Sequence, residues 1–172
     1  MSELWRFPDP VNEKAARVVA AVVAVASAVT LVGGWHWLLV PIAGGFVARV
    51  LTGPTLSPLG RLAMAVAARL GPPKYVPGPP KRFAQGIGAV CTVAAAIFAL
   101  ALGWTVAANV ILGMMILFAG LEAAFALCVG CRIFALLIAI GAIPAATCEA
   151  CSDFAAGRAD GATGYLTFRT ID

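Results

Sequence analysis

Charge is scarce in this chain. Asp, Glu, Lys and Arg make up 12% of its 172 residues, against about 25% in an ordinary soluble domain. Hydrophobic residues reach 62%, which excludes a mainly polar surface and leaves a membrane protein. Acidic residues number eight and histidine one. No glycine-rich phosphate loop, Ser-His-Asp set or carboxylate pair is present, so a nucleotide enzyme or a hydrolase has no support. The cleavage-site pattern of a secretory leader is also missing, and the N-terminus is expected to stay attached and cytoplasmic.

What the chain does have is four long apolar stretches. A helix needs about 20 residues to cross a hydrocarbon core. Residues 15–32 and 35–51 are joined by Gly33-Gly34, and residues 83–102 and 105–127 by Gly103-Trp104, so each pair must close as a tight hairpin. The expected fold is an all-α polytopic membrane protein with four transmembrane helices in two hairpins. Lys and Arg fall before the first span or at its start, at or between the second and third, and after the fourth, while the two short links carry none. By the positive-inside rule both termini and the long linker face the cytoplasm, which predicts a multi-pass membrane protein. Trp35, Trp37 and Trp104 then lie at the outer turns, where aromatic rings anchor at the interface.

The linker contains a helical stretch, residues 58–70, with Leu59, Leu62, Val66 and Leu70 on one side and arginines that can reach phosphate headgroups. This is the pattern of an amphipathic helix lying on the bilayer, here a spacer between hairpins. The segment from Gly71 to Pro80 is too rich in proline for helix and is expected to be extended. The formal charge of +4 therefore reflects topology, and nucleic acid is not an expected partner.

Two cysteine pairs carry the candidate chemistry. Cys128 and Cys131 are followed, sixteen residues on, by Cys148 and Cys151. The C-x2-C-x16-C-x2-C spacing suits a tetrathiolate zinc site, and either pair alone suits a dithiol that cycles with a disulfide. Cys91, mid-span among alanines, reads as packing. Membrane residues 1–151 thus precede a tail, 152–172, expected to be mobile and cytoplasmic.

Two segments carry a family resemblance: Pro77-Gly78-Pro79-Pro80-Lys81-Arg82-Phe83-Ala84-Gln85-Gly86-Ile87-Gly88, and Leu121-Glu122-Ala123-Ala124-Phe125-Ala126-Leu127-Cys128-Val129-Gly130-Cys131. They resemble the small bacterial membrane proteins catalogued as domain-of-unknown-function family 4395, over roughly residues 8 to 140. The most specific parts are P-x-R-F-A-Q and C-x-G-C. Members end their last span with C-x-G-C, and some occur fused to or beside thioredoxin-like or sulfurtransferase proteins. The resemblance therefore implies thiol or sulfane-sulfur chemistry with a thioredoxin-like or rhodanese-like partner. Cys148, Cys151 and the tail lie outside the family's pattern.

The geometry leaves two uses of the thiols open. Residues 133–143 are eleven apolar residues before Pro144, about 16 Å of helix, which suits a half-helix in the inner leaflet better than a full span. Such a half-helix could return Cys148 and Cys151 to Cys128 and Cys131, whereas a shortened fifth span would strand them on the far side. If four thiolates meet, zinc would make a closed structural staple in an accessory or scaffold subunit without turnover. If Gly130 breaks the span, Cys128 and Cys131 lie at the start of the next helix, where amides and the dipole stabilise a thiolate. In a relay Cys128 would attack and Cys131 resolve, with Cys148 and Cys151 as a second pair.

Glu122, the acidic residue inside a span, needs a partner in lipid, and Arg49 lies at similar depth. On a straight helix Glu122 points about 180° from Cys131, so it could reach the thiols only through a bend. His36 reads as an interfacial residue and Asn109 as an interhelical hydrogen-bonder. Gly44, Gly45, Gly86, Gly88, Gly113 and Gly120 would allow close helix contact, within a bundle, a homo-oligomer or a larger membrane complex.

Overall fold

The structure, a computed structural model, describes residues 9–53 and 57–144. It is helical apart from one short pair of strands, β1 (Val11–Asn12) and β2 (Tyr75–Val76). Helix α1 covers Glu13–Gly33, α2 Leu39–Thr52, α3 Pro58–Arg69, α4 Gly78–Ala96, α5 Thr105–Phe125 and α6 Val129–Ala139. A 3₁₀ turn, His36–Leu38, leads into α2, and a π turn, Ile97–Ala101, extends α4. Three helical stretches are long and apolar enough to cross a membrane: Glu13–Gly33, Gly78–Ala101 and Thr105–Phe125. The fourth, His36–Thr52, is shorter. Val25, Val90, Val110 and Leu117 point outward from these helices, an arrangement natural to a protein whose solvent is lipid.

The chain traces one path twice. A short strand leads into a long helix, and a left-handed glycine followed by tryptophan (Gly34-Trp35, then Gly103-Trp104) turns it back. A second helix returns, and a short helix follows, its first turn capped by the side chain of Ser57 in α3 and of Cys128 in α6. Each cap accepts from the amide three residues on, Gly60 or Cys131. The buried positions correspond: Leu39, Ala43 and Phe46 of α2 match Ala108, Leu112 and Met115 of α5, and Ala63 and Ala67 of α3 match Phe134 and Ile138 of α6. Packing follows the same relation. Helix α1 lies against α5 as α2 lies against α4, and α3 docks on α1 as α6 docks on α4. The strands close the relation by pairing with each other, Val11 opposite Val76. Each returning helix meets an arginine of the other half: Arg17 donates to the Ala123 and Ala124 carbonyls, and Arg82 to the Val50 carbonyl.

Each hairpin is therefore an open arm, and the bundle forms by crossing the two halves. Sequence-adjacent α1 and α2 touch little. Gly88 marks the closest approach of α2 and α4, since a Cβ there would lie 2.3 Å from the Phe46 ring. The other glycines expected at contacts do less: among the described residues Gly44, Gly86, Gly113 and Gly120 face nothing within 4 Å, and Gly45 faces only the Arg49 side chain. Several polar groups inside the bundle bond within it, though the buried Ser27 Oγ has no partner among the described residues. Thr30 donates to the Ala26 carbonyl, Thr92 to that of Gly88, and His36 Nε2 shares a hydrogen bond with Asn109 Oδ1 at 2.9 Å.

Two expectations need correction. Residues 71–77 are non-helical as expected, but α4 starts at Gly78, because Pro79 and Pro80 occupy the first turn, where an amide has no helical partner anyway. Asp9 caps this start by accepting from the Gly78 amide at 2.9 Å. Helix α3 docks on α1 through Gly60, Ala63 and Ala67, and Leu62 and Leu70, on the leucine side expected to meet the bilayer, are exposed. Small residues let α3 approach α1 closely, and leucine gains nothing by leaving lipid. Finally, the short last helix begins at Val129, so the cysteine pair belongs to its start and the helix ends at Ala139. The tail 152–172 and the second cysteine pair fall outside the described residues.

Candidate functional site

Helix α5 ends at Phe125 because Ala126 adopts a left-handed conformation (φ 57°). Its amide and that of Leu127 return to the Glu122 and Leu121 carbonyls, the closing bonds of a Schellman-type stop. Arg17 secures the stop with three hydrogen bonds of 2.9–3.0 Å to the Ala123 and Ala124 carbonyls. Two residues later Cys128 caps α6. The break lies at Ala126, upstream of Gly130, where the sequence suggested it. Gly130 serves instead as the seat of α6 on α4: a Cβ there would stand 2.6 Å from Ala84 Cβ and 2.8 Å from its Cα. Phe134 then packs against Phe83, with ring centroids 5.4 Å apart.

This start of α6 differentiates the two thiols. Cys128 is buried and accepts from the Cys131 amide at 3.3 Å, while Cys131 is half-buried. The Cys131 side chain hydrogen-bonds to Cys128 and, with that amide and the Lys81 ammonium, holds the Cys128 thiol below its ordinary range, although burial and Glu122 oppose the shift. The same bond, reinforced by burial, pushes the Cys131 thiol up. The lowered thiol is the readier nucleophile of the two.

Both cysteines line a surface cavity of about 400 Å³ whose walls include Lys74, Lys81 and Arg132. Cys128 also borders a cavity of about 120 Å³ inside the bundle, lined by Val23, Phe46, Met115 and Glu122. Beyond the stop at Ala126, Cys128 borders the same cavity as Glu122.

Glu122 does not pair with Arg49. Its carboxylate takes the ammonium of Lys81, and the two side chains are 18% and 10% exposed. Arg49 instead donates from Nε to Gln85 Oε1 at 3.0 Å and lays its guanidinium over the Phe46 ring. The early start of α4 explains the exchange, because it carries Lys81 into the helix and toward α5. Sequence reasoning missed Lys81 and Arg17 for the same reason: both were counted only as topology charges.

Cys91, expected as packing, lies beside the core cluster of Val19, Phe46 and Met115. Among the described residues no three His, Cys, Asp or Glu side chains converge as metal ligands. A tetrathiolate would need Cys148 and Cys151, which lie outside the described residues.

No curated protein and no solved structure matches the chain. A family profile does, over residues 11–139, from β1 to the end of α6. That segment contains Cys128 and Cys131 and stops before Cys148 and Cys151. The chain belongs to the domain of unknown function family DUF4395.

Proposed function

We propose that this protein is a membrane-embedded dithiol relay in which Cys128 attacks and Cys131 resolves. The observation that carries the reading is the asymmetric pair at the start of α6, with Cys128 lowered and Cys131 raised beside a cation-lined cavity. The Cys128 thiolate attacks one sulfur of a partner's disulfide, forming a mixed disulfide and releasing the partner's other sulfur as a thiol. Cys131 then loses its proton and attacks the Cys128 sulfur, so that the relay ends as a disulfide and the partner as a dithiol, two electrons having passed. With a partner persulfide as donor, the Cys128 thiolate would attack its outer sulfur, breaking the S–S bond and releasing the partner as a thiol, and an acceptor thiolate would take that sulfur on in the same way with Cys128 as the leaving thiolate.

In this reading four helices cross a bacterial inner membrane, His36–Thr52 being the shortest span, with both termini on the cytoplasmic side. Lys14, Arg17, Lys74, Lys81 and Arg132 lie toward the cysteine end, and Trp35, Trp37 and Trp104 are exposed at the opposite turns. The cysteine cavity then faces the cytoplasm, where a thioredoxin-like or rhodanese-like protein is the fitting partner. The competing use, a structural zinc held by four thiolates, is testable through the metal content of the purified protein.

The experiment is a trap. Cys131→Ser leaves the attacking thiol and removes the resolving one, so incubation with an oxidised thioredoxin-like protein should accumulate a mixed disulfide at Cys128, detectable as a reducible band and by peptide mass. No such adduct, with the wild-type protein also failing to exchange electrons, would refute the relay.

A further inference from the structure

The duplicated path builds the cysteine cleft twice. Its counterpart in the first half is a cavity of about 130 Å³ bordered by Gly53, Gly60, Met64 and Arg49. Gly53, Gly60 and Met64 stand where Ala126, Cys131 and Ala135 stand around the thiols, and Lys81 borders both clefts. The first cleft has no thiol. It has a buried guanidinium.

Arg49 is only 5% exposed. Its Nε is satisfied by Gln85, but Nη2 is buried and, among the described residues, has no hydrogen-bond partner. Glu122, the carboxylate in α5, is taken by Lys81 and Glu13 by Lys74, and among the described residues Arg49 has no ion pair. A buried arginine with a free N–H is costly unless something anionic meets it, and its planar fork suits the oxygens of a phosphate or carboxylate. The remaining walls are largely apolar, with Ala15, Val19 and Met64 among them. Met64 and Tyr75, both exposed, set the mouth at the surface.

We infer that this cleft is a second site, distinct from the thiols, in which Arg49 binds an oxyanion of the phosphate or carboxylate type. The apolar walls beside α3 suit an anionic lipid, with its headgroup on Arg49 and its chain against Val19 and Met64. A free phosphate offers the same oxygens. The site does not depend on what Cys128 and Cys131 do.

The test uses the full chain in zwitterionic detergent, with thermal unfolding followed after addition of phosphatidylglycerol, phosphatidylcholine, or inorganic phosphate at constant ionic strength. Phosphatidylglycerol should raise the wild-type Tm by several degrees more than phosphatidylcholine. Arg49→Met should abolish that difference, and without anion it should melt no lower than wild type, because a buried charge has been removed. Met64→Trp, which narrows the cleft and keeps the charge, should also lose the response, and it serves should Arg49→Met fail to fold. A shift with inorganic phosphate as well marks a free oxyanion as sufficient, and a shift with phosphatidylglycerol alone marks the headgroup. Equal responses of wild type and both variants, or no wild-type response to either anion, would overturn the inference.

Discussion

Replacing Gly130 with alanine tests how closely α6 is held. The new Cβ would sit 2.6 Å from Ala84 Cβ and 2.8 Å from its Cα, whereas carbon atoms in good contact lie about 3.5–4.0 Å apart. The start of α6 must therefore retreat from α4 by roughly 1 Å. Overpacking of this kind costs about 1–3 kcal/mol. An eleven-residue helix anchored mainly by Phe134 and Ile138 has little to spare. Because Cys128 and Cys131 flank Gly130, the displacement also disturbs the Cys131 side-chain hydrogen bond and the 3.3 Å amide contact, which together lower Cys128. Two readouts should move together: hydrogen exchange along α6 should accelerate, and alkylation of Cys128 near neutral pH should slow. Ala84→Gly added to Gly130→Ala should restore only part of both, since it removes the contact with Cβ and leaves that with Cα. Wild-type exchange and alkylation in Gly130→Ala would refute the proposed seating of α6.

Three further perturbations follow from named contacts. In a Cys91→Ser background, iodoacetamide should label Cys128 at a pH below that needed for an ordinary thiol and Cys131 only well above it, with Cys131→Ser moving the Cys128 profile upward; mass spectrometry of each site across pH reads this out. Lys81→Met should destabilise by about 3–5 kcal/mol because it leaves Glu122 unpaired, whereas the double change Lys81→Met with Glu122→Leu should recover most of the loss, as thermal melts in one detergent would show. Arg17→Met removes three hydrogen bonds from the end of α5 and should cost roughly 1.5–3 kcal/mol, loosening protection at residues 121–127 before the rest of the bundle.

The apolar stretches were legible in the sequence because lipid imposes length and composition on a helix directly. The hairpin turns at Gly34-Trp35 and Gly103-Trp104 could be read from spacing for the same reason. The partners of those helices were not. Hairpin neighbours α1 and α2 barely touch, and nothing in hydropathy distinguishes α5 from α2 as the mate of α1. The signal was present as the recurrence of Gly-Trp, and of Ser57 to Arg61 in Cys128 to Arg132, but one shared dipeptide and one shared arginine are faint against an alanine-rich background.

At the site, C-x2-C spacing identified the thiol pair, while its placement depended on the left-handed turn of Ala126, a residue type that gives no warning of such a turn. The partner of Glu122 was misassigned because depth was counted from the second span alone. Lys81 enters the bundle only because two prolines begin α4 earlier than their usual reading as breakers suggests.

The most direct test of the relay is a redox titration of the Cys128–Cys131 pair in a chain carrying Cys91→Ser, Cys148→Ser and Cys151→Ser. The protein is equilibrated in glutathione buffers of graded potential, quenched with acid and counted with a bulky maleimide. The account predicts one reversible two-electron transition, with both thiols lost and recovered together in a folded protein. A pair that stays reduced under fully oxidising buffer, or a protein that unfolds once Cys148 and Cys151 are removed, would contradict it.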